Sequence, residues 1–473
     1  DKHDVVRPIK WWKGKGGLLD YTNPEAREWW HSMMDNVLSL PTLNGDGIDG
    51  FKCDASDPYI IEYMLPPGGK ALGFNNVPYE SHAQYADYYY GDFFNYTRSH
   101  RGTSGLVMGR PVDCAEDKTS QVCLDHSPKY TMTSGWVGDD DNTMNGLRSC
   151  AHNVIYSAWE GYANFGCDVG GYRNKGDENK ADRKEMFIRS AQFNAFLPLM
   201  ENGGGGEHRP WMIDPTDHEI VPVYRNLVNE HTRLSPYMHT VGTKALLGDF
   251  SSITPLAVNS EDRKRKRSHR RFSQPSTYSY LLGDDILVHP PLYAVDEKKT
   301  GHDISVVEMT FTGDDKTLWL DWFHPTNEEK SYIGGTKHTR AVPLIEYPVY
   351  VRQGALLALL EDGGKLGVTD EHISFTWFAP RAGMNSVTSE ALEPIEVGPG
   401  IQAIAQFSSE STIEVKLSAH EGPIGLTLVD VPKASKVDIR GLPCLNEYNP
   451  LKKTLDVKCP NNKLGTILTI EFN

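Results

Sequence analysis

The sequence predicts an α/β protein: a (β/α)8 TIM-type barrel portion over residues 1–250, then antiparallel β-sandwich domains over 251–360 and 361–473. Three observations carry that prediction. Strand-like and helix-like stretches alternate through the first 250 residues, as parallel βα units do. Several of those strands end on a charged side chain, and the C-terminal strand ends are where a barrel places its chemistry. Past residue 250 the helical periodicity fades, and short alternating strands with turn signals take over.

The elements follow in order. Asn23-Pro24-Glu25 opens a helix, because Asn caps, Pro fits the first turn and an acid faces the helix dipole. Trp29, Trp30, Met33, Met34 and Val37 continue at helical spacing, and Pro41 follows the end. The run from Gly47 to Asp54 reads as a short buried strand. A Tyr-rich helical run from Tyr85 to Tyr96 leads into a strand from Leu106 to Arg110. Residues Tyr130 to Trp136 come next, followed by a helix from Gly146 to Trp159 and a strand from Ala163 to Asp168. A helix near Arg183 to Ala195 and one long helix from about Glu219 to Leu247 complete the region. Asp54, Arg110, Asp139 and Asp168 stand at the strand ends. Any one of these acids could be a helix cap, but four polar ends in succession favour a site. Later strands include Ile286 to Val288, Val349 to Arg352 and Ile413 to Leu417.

Composition excludes several classes. With 48 Lys+Arg against 63 Asp+Glu, the formal charge of −15 argues against a nucleic-acid binder. No run of roughly 18 apolar residues offers a membrane span. The basic stretch Arg263 to Arg271 reads as a solvated loop, with cleavage by a basic-specific secretory protease as the alternative. None of the seven Cys falls in a CxxC or zinc spacing. Close spacing predicts disulfides Cys444–Cys459 and Cys114–Cys123. Cys53, Cys150 and Cys167 lie in apolar runs and are expected as buried thiols. A sequon at Asn95-Tyr96-Thr97 allows glycosylation at Asn95. These features together favour a secreted or luminal protein.

Carboxylates are the concentrated reactive groups. The sequence has no G-x-S-x-G elbow, phosphate loop or H-E-x-x-H, and no cofactor or metal is expected. The Gly-rich run from Asn202 to His208 lacks the Lys of a phosphate loop and suits a barrel-top loop. Two acids on facing strand ends suit glycoside hydrolysis, one attacking and the other protonating the leaving oxygen.

An ordered set of motifs narrows the reading. They are Leu18-Leu19-Asp20-Tyr21 with Trp29-Trp30, then Gly50-Phe51-Lys52-Cys53-Asp54, then Trp136-Val137-Gly138-Asp139-Asp140 with Leu147. Gly166-Cys167-Asp168-Val169-Gly170-Gly171-Tyr172, Leu282-Gly283-Asp284-Asp285-Ile286-Leu287-Val288 and Tyr347-Pro348-Val349-Tyr350-Val351-Arg352-Gln353-Gly354-Ala355 follow. This set resembles glycoside hydrolase family 31 over nearly the whole chain. The resemblance implies barrel strands four to eight and a retaining α-glycosidase acting on a terminal non-reducing α-linked hexose, an α-glucoside or α-galactoside. It places the nucleophile at Asp54 and the acid/base at Asp139. Asp168 would hold sugar hydroxyls, and Arg110 would contact sugar or orient carboxylates. Lys52 and Trp136 would line the pocket, and His208 would contribute to substrate binding. Asp139 must begin protonated, which burial or the neighbouring Asp140 and Asp141 would favour. A non-catalytic glycan-binding or structural member and an α-transglycosylase are the alternatives.

Two departures from the family pattern stand out. Phe51-Lys52 before Asp54 is more like the α-xylosidase and α-galactosidase branches. Glu201-Asn202-Gly203 stands where the family often has Arg-x-His, which argues against a simple maltase. The family's N-terminal β-sandwich and first three barrel strands have no counterpart ahead of Asp20. The expectation is that a separate polypeptide or an upstream segment completes the barrel.

Overall fold

The computed structural model describes residues 9–11, 14–40, 42, 45–54, 71–79, 82–110, 128–159, 161–174, 180–205, 207–247, 251–256, 278–292, 304–360, 373–379, 395–397, 401–409, 411–418, 424–440, 444–459 and 466–472. Cys114, Cys123 and the basic stretch 263–271 lie outside the described residues.

Helix α1 (Pro24–Leu38) begins at the predicted signal, with the Asn23 side chain accepting the Glu25 N–H at 3.0 Å. Strand β1 (Gly50–Cys53) follows, then helix α2 (His82–Arg101) and strand β2 (Leu106–Gly109). After them come β3 (Ser134–Trp136), α3 (Met144–Trp159), β4 (Phe165–Gly166) and α4 (Lys180–Ala195). The four strands form one parallel sheet in chain order. A fifth extended segment joins its far edge through a parallel bridge between Asp168 and Glu201. Gly166 permits that crowding, since a Cβ there would fall 2.1 Å from the Leu199 carbonyl oxygen.

The single helix expected over about 219–247 is two helices, α5 (Ile220–Arg233) and α6 (Ser235–Leu247). Pro236 has no backbone N–H to continue the ladder, and the chain breaks beside it.

The next unit packs a six-stranded antiparallel sheet, running from Ile253–Pro255 at one edge to Tyr332–Ile333 at the other, against a two-stranded ribbon. Leu287, Val307, Phe311, Trp319 and Tyr350 fill the space between them. The last unit is a pair of five-stranded sheets around Phe375, Trp377, Val415, Leu426 and Leu468. One of its pairings, Ile373–Phe378 with Ile424–Val429, is parallel. Strand Leu356–Leu360 pairs inside this last unit, so its sheet starts at Leu356.

The barrel portion and the first sandwich share one apolar core, in which Phe196 meets Tyr280 and Tyr347. Arg189 of α4 is buried at this seam. It donates to the carbonyls of Val342, Leu344 and Glu346, and Gln192 donates to Leu344 at 2.7 Å. Burial lowers the Arg189 guanidinium to about 10, still cationic at neutral pH.

Cys444 and Cys459 are disulfide-bonded. The expectation of free thiols at Cys150 and Cys167 is overturned, because these two are also bonded. Cys150 lies on the buried face of α3 and Cys167 just follows β4, with Cα atoms 6.4 Å apart, within disulfide reach. Cys53 is a free buried thiol, its ionisation pushed up by burial.

Candidate active site

Each strand of the parallel sheet delivers a charged group to the same end. Asp54 follows β1, and the Tyr89 hydroxyl of α2 donates to its carbonyl oxygen at 2.8 Å. Arg110 follows β2, and its backbone N–H is held by the Tyr90 hydroxyl at 3.1 Å. Asp139 follows β3 through Gly138, whose φ of 98° suits glycine. Asp168 follows β4, bridged to Glu201.

Two cations organise these acids. Arg110 Nη2 lies 3.0 Å from Asp54 Oδ1, and its Nη1 lies 3.2 Å from Asp139 Oδ1. One guanidinium therefore spans both carboxylates, which keeps them well inside the roughly 10 Å beyond which neither glycosidase geometry works. Lys52 Nζ lies 3.0 Å from both Glu201 carboxylate oxygens and 3.6 Å from Asp168 Oδ1. The residues i and i+2 of β1, Lys52 and Asp54, thus share the site.

Trp136 is only 2% exposed and serves as the floor beneath these cations rather than an open wall. Lys52 Nζ sits 4.3 Å from its ring centroid, and the Arg110 guanidinium 5.7 Å.

Exposure divides the acids into two kinds. The Asp54 side chain is 44% exposed and that of Asp139 33%, so both are open to solvent. Asp168 is buried, with its Oδ1 facing the Lys52 ammonium at 3.6 Å. Burial raises its ionisation to about 7, the Glu201 charge and then Asp139 add to this, and Lys52 partly offsets it. Asp141 is paired with Arg173 at 2.9 Å, and Asp168 and Asp139 act on each other as like charges.

His208 lies beside Val169, just past Asp168. Its Nδ1 lies 3.3 Å from the Val169 carbonyl oxygen, in a cleft of about 460 Å³ with Asn202, Gly203, Trp211 and Tyr224. Burial favours its neutral imidazole. Asn95 is exposed in the middle of α2, while Thr97 of the sequon is buried.

Sequence reasoning did not place Glu201 in the site. Its one signal was the departure from Arg-x-His, and its partnership with Lys52 spans 149 positions. Tyr89 and Tyr90, which hold the backbone of Asp54 and Arg110, were legible only as parts of an aromatic helix. Among the described residues, no three His, Cys, Asp or Glu side chains are grouped to hold a metal. No helix among them is long and apolar enough to cross a membrane.

The family profile described as Glycosyl hydrolases family 31 TIM-barrel domain matches residues 2–241. A 1,3-alpha-isomaltosidase of Kribbella flavida is 24% identical over 292 residues, covering 60% of this chain and 35% of that protein. An isomaltosyltransferase of Sporosarcina globispora is 21% identical over 377 residues, covering 76% of this chain and 30% of that protein. The solved cycloalternan-forming enzyme of Listeria monocytogenes, in complex with pentasaccharide substrate, superposes with a TM-score of 0.73 at 16% identity. It covers 99% of this chain and 42% of that one. The chain thus spans less than half the length of these relatives.

Proposed function

Because this chain belongs to glycoside hydrolase family 31, we propose that it carries the catalytic carboxylates of a retaining α-glycosidase. The substrate is a terminal non-reducing α-linked hexose, an α-glucoside or α-galactoside. Asp54 attacks the anomeric carbon and forms a covalent glycosyl-enzyme intermediate. Asp139 gives its proton to the departing oxygen, then takes one from the water that releases the sugar. Asp168 accepts from sugar hydroxyls, a role supported by its place at the end of β4 beside Lys52. Lys52 donates beside it, and His208 lines the outer cleft.

The observation that carries this reading is the Arg110 bridge, which presents Asp54 and Asp139 together at one exposed rim. It also weighs against a non-catalytic glycan binder, which needs no such pair. A 5-fluoroglycosyl fluoride should trap the intermediate. Peptide mass mapping is expected to find the sugar on Asp54, and a label elsewhere would overturn the assignment.

A transglycosylase uses the same intermediate with a sugar acceptor, and the names of the isomaltosyltransferase and the cycloalternan-forming enzyme support that second reading. Product analysis with and without added oligosaccharide separates the two. Completion of the barrel by a separate or upstream segment belongs to the same proposal. In support, β1 pairs only with β2 among the described residues, and native mass spectrometry for a co-purifying fragment tests it. Secretion or a luminal location is supported by the two disulfides, and glycosylation by the exposed Asn95.

A further inference from the structure

Four carboxylates and two cations meet at the strand ends, and the way they are paired has a consequence for the substrate. Arg110 lies between Asp54 and Asp139, and Lys52 lies between Asp168 and Glu201. Each cation is therefore already shared by two acids. A sugar bearing a carboxylate would have to displace one of these acids from its cation before it could be paired. A neutral sugar demands no such displacement.

Glu201 is the member that decides this balance. It enters from a different segment and is fixed by the backbone. The Val169 N–H donates to the Glu201 carbonyl at 2.9 Å, and the Asp168–Glu201 bridge locks the register. Its carboxylate takes Lys52 through both oxygens at 3.0 Å, while Asp168 holds the same ammonium at 3.6 Å. Lys52 remains 37% exposed, so its charge would be open to a ligand if Glu201 did not take it.

We propose that Glu201 is the specificity-determining residue of this pocket: by occupying Lys52 it excludes anionic sugars and reserves the site for uncharged hexosides. This rests on the glycosidase reading above. Glu201 acts through Lys52, so it is a positioning residue, and its loss should change substrate selection more than turnover.

The test compares the full-length protein with its Glu201→Gln and Glu201→Asp variants. The probes are nitrophenyl α-glucoside against α-glucuronide and nitrophenyl α-galactoside against α-galacturonide, pairs that differ only in the carboxylate. Wild type should favour the neutral member at least 100-fold in kcat/KM. Glu201→Gln keeps the shape but drops the charge, and should narrow that preference at least tenfold, chiefly through KM. Glu201→Asp should restore it, and added salt should weaken it in wild type. Binding of the corresponding methyl glycosides is measured in parallel by calorimetry. If no glycoside turns over but binding still discriminates by charge in a Glu201-dependent way, the hydrolase reading falls and the filter stands. If Glu201→Gln weakens both members of a pair equally, the residue is merely structural and the proposal is overturned.

Discussion

Asp168 is a carboxylic acid held where its ionised form is disfavoured, and that should be measurable as stability. Its ordinary value is 3.8 and its value in the folded protein is about 7. The folded state therefore binds the extra proton between those values, and stability should fall as pH rises from about 4 to about 7. Asp168→Asn removes the penalty. It should match wild type near pH 4 and exceed it at pH 8 by on the order of 1–3 kcal/mol, while substrate binding is lost. Urea melts at both pH values check this, and an offset that does not change with pH would count against it. At the rim, Asp54→Asn should cost roughly 10⁴-fold or more in kcat. Asp139→Asn should cost about 10²–10⁴-fold on glycosides with poor leaving groups and far less on activated ones. Equal losses on both substrate types would contradict the proton-donor role. The strand-end acids were legible because a parallel βα pattern announces where strands end. Glu201 was not, because it follows a segment that joins the sheet by a single bridge.

At the scale of elements, the Cys150–Cys167 bond fastens α3 to the end of β4, one residue before Asp168. Both residues read correctly from sequence as buried, but their pairing was hidden. A cysteine inside a helix and one after the next strand have no spacing rule, and only the packing of α3 on the sheet brings them together. Mass mapping without reduction should recover a Cys150–Cys167 peptide. Replacing both with Ala should cost about 2–4 kcal/mol. It should also raise KM, since the segment bearing Asp168 loses its tether. Helix starts were legible where a cap states them, as at Asn23-Pro24-Glu25. The break between α5 and α6 was written in Pro236 and obscured by apolar periodicity that continues past it.

For the whole molecule, the change from alternating helices and strands to strands alone marked the passage from barrel to sandwiches. What sequence could not show was how tightly the first sandwich is fixed. Arg189 is a polar residue in a helix, and nothing local says that its partners are carbonyls about 155 residues away. Arg189→Met should remove one donor from each of those carbonyls, with Gln192 still serving Leu344 and Glu346, and cost about 1–3 kcal/mol. Denaturation followed by intrinsic fluorescence and by far-UV dichroism should give one coincident, shifted transition for the barrel portion and first sandwich. Two separate transitions in wild type would contradict a shared core. The same seam also limits how the pocket can open. With a shared apolar core and Arg189 of α4 holding three carbonyls of the sandwich, the described residues of this junction show no hinge. The sandwich is therefore expected to move with the barrel portion rather than to swing over the strand ends as a lid.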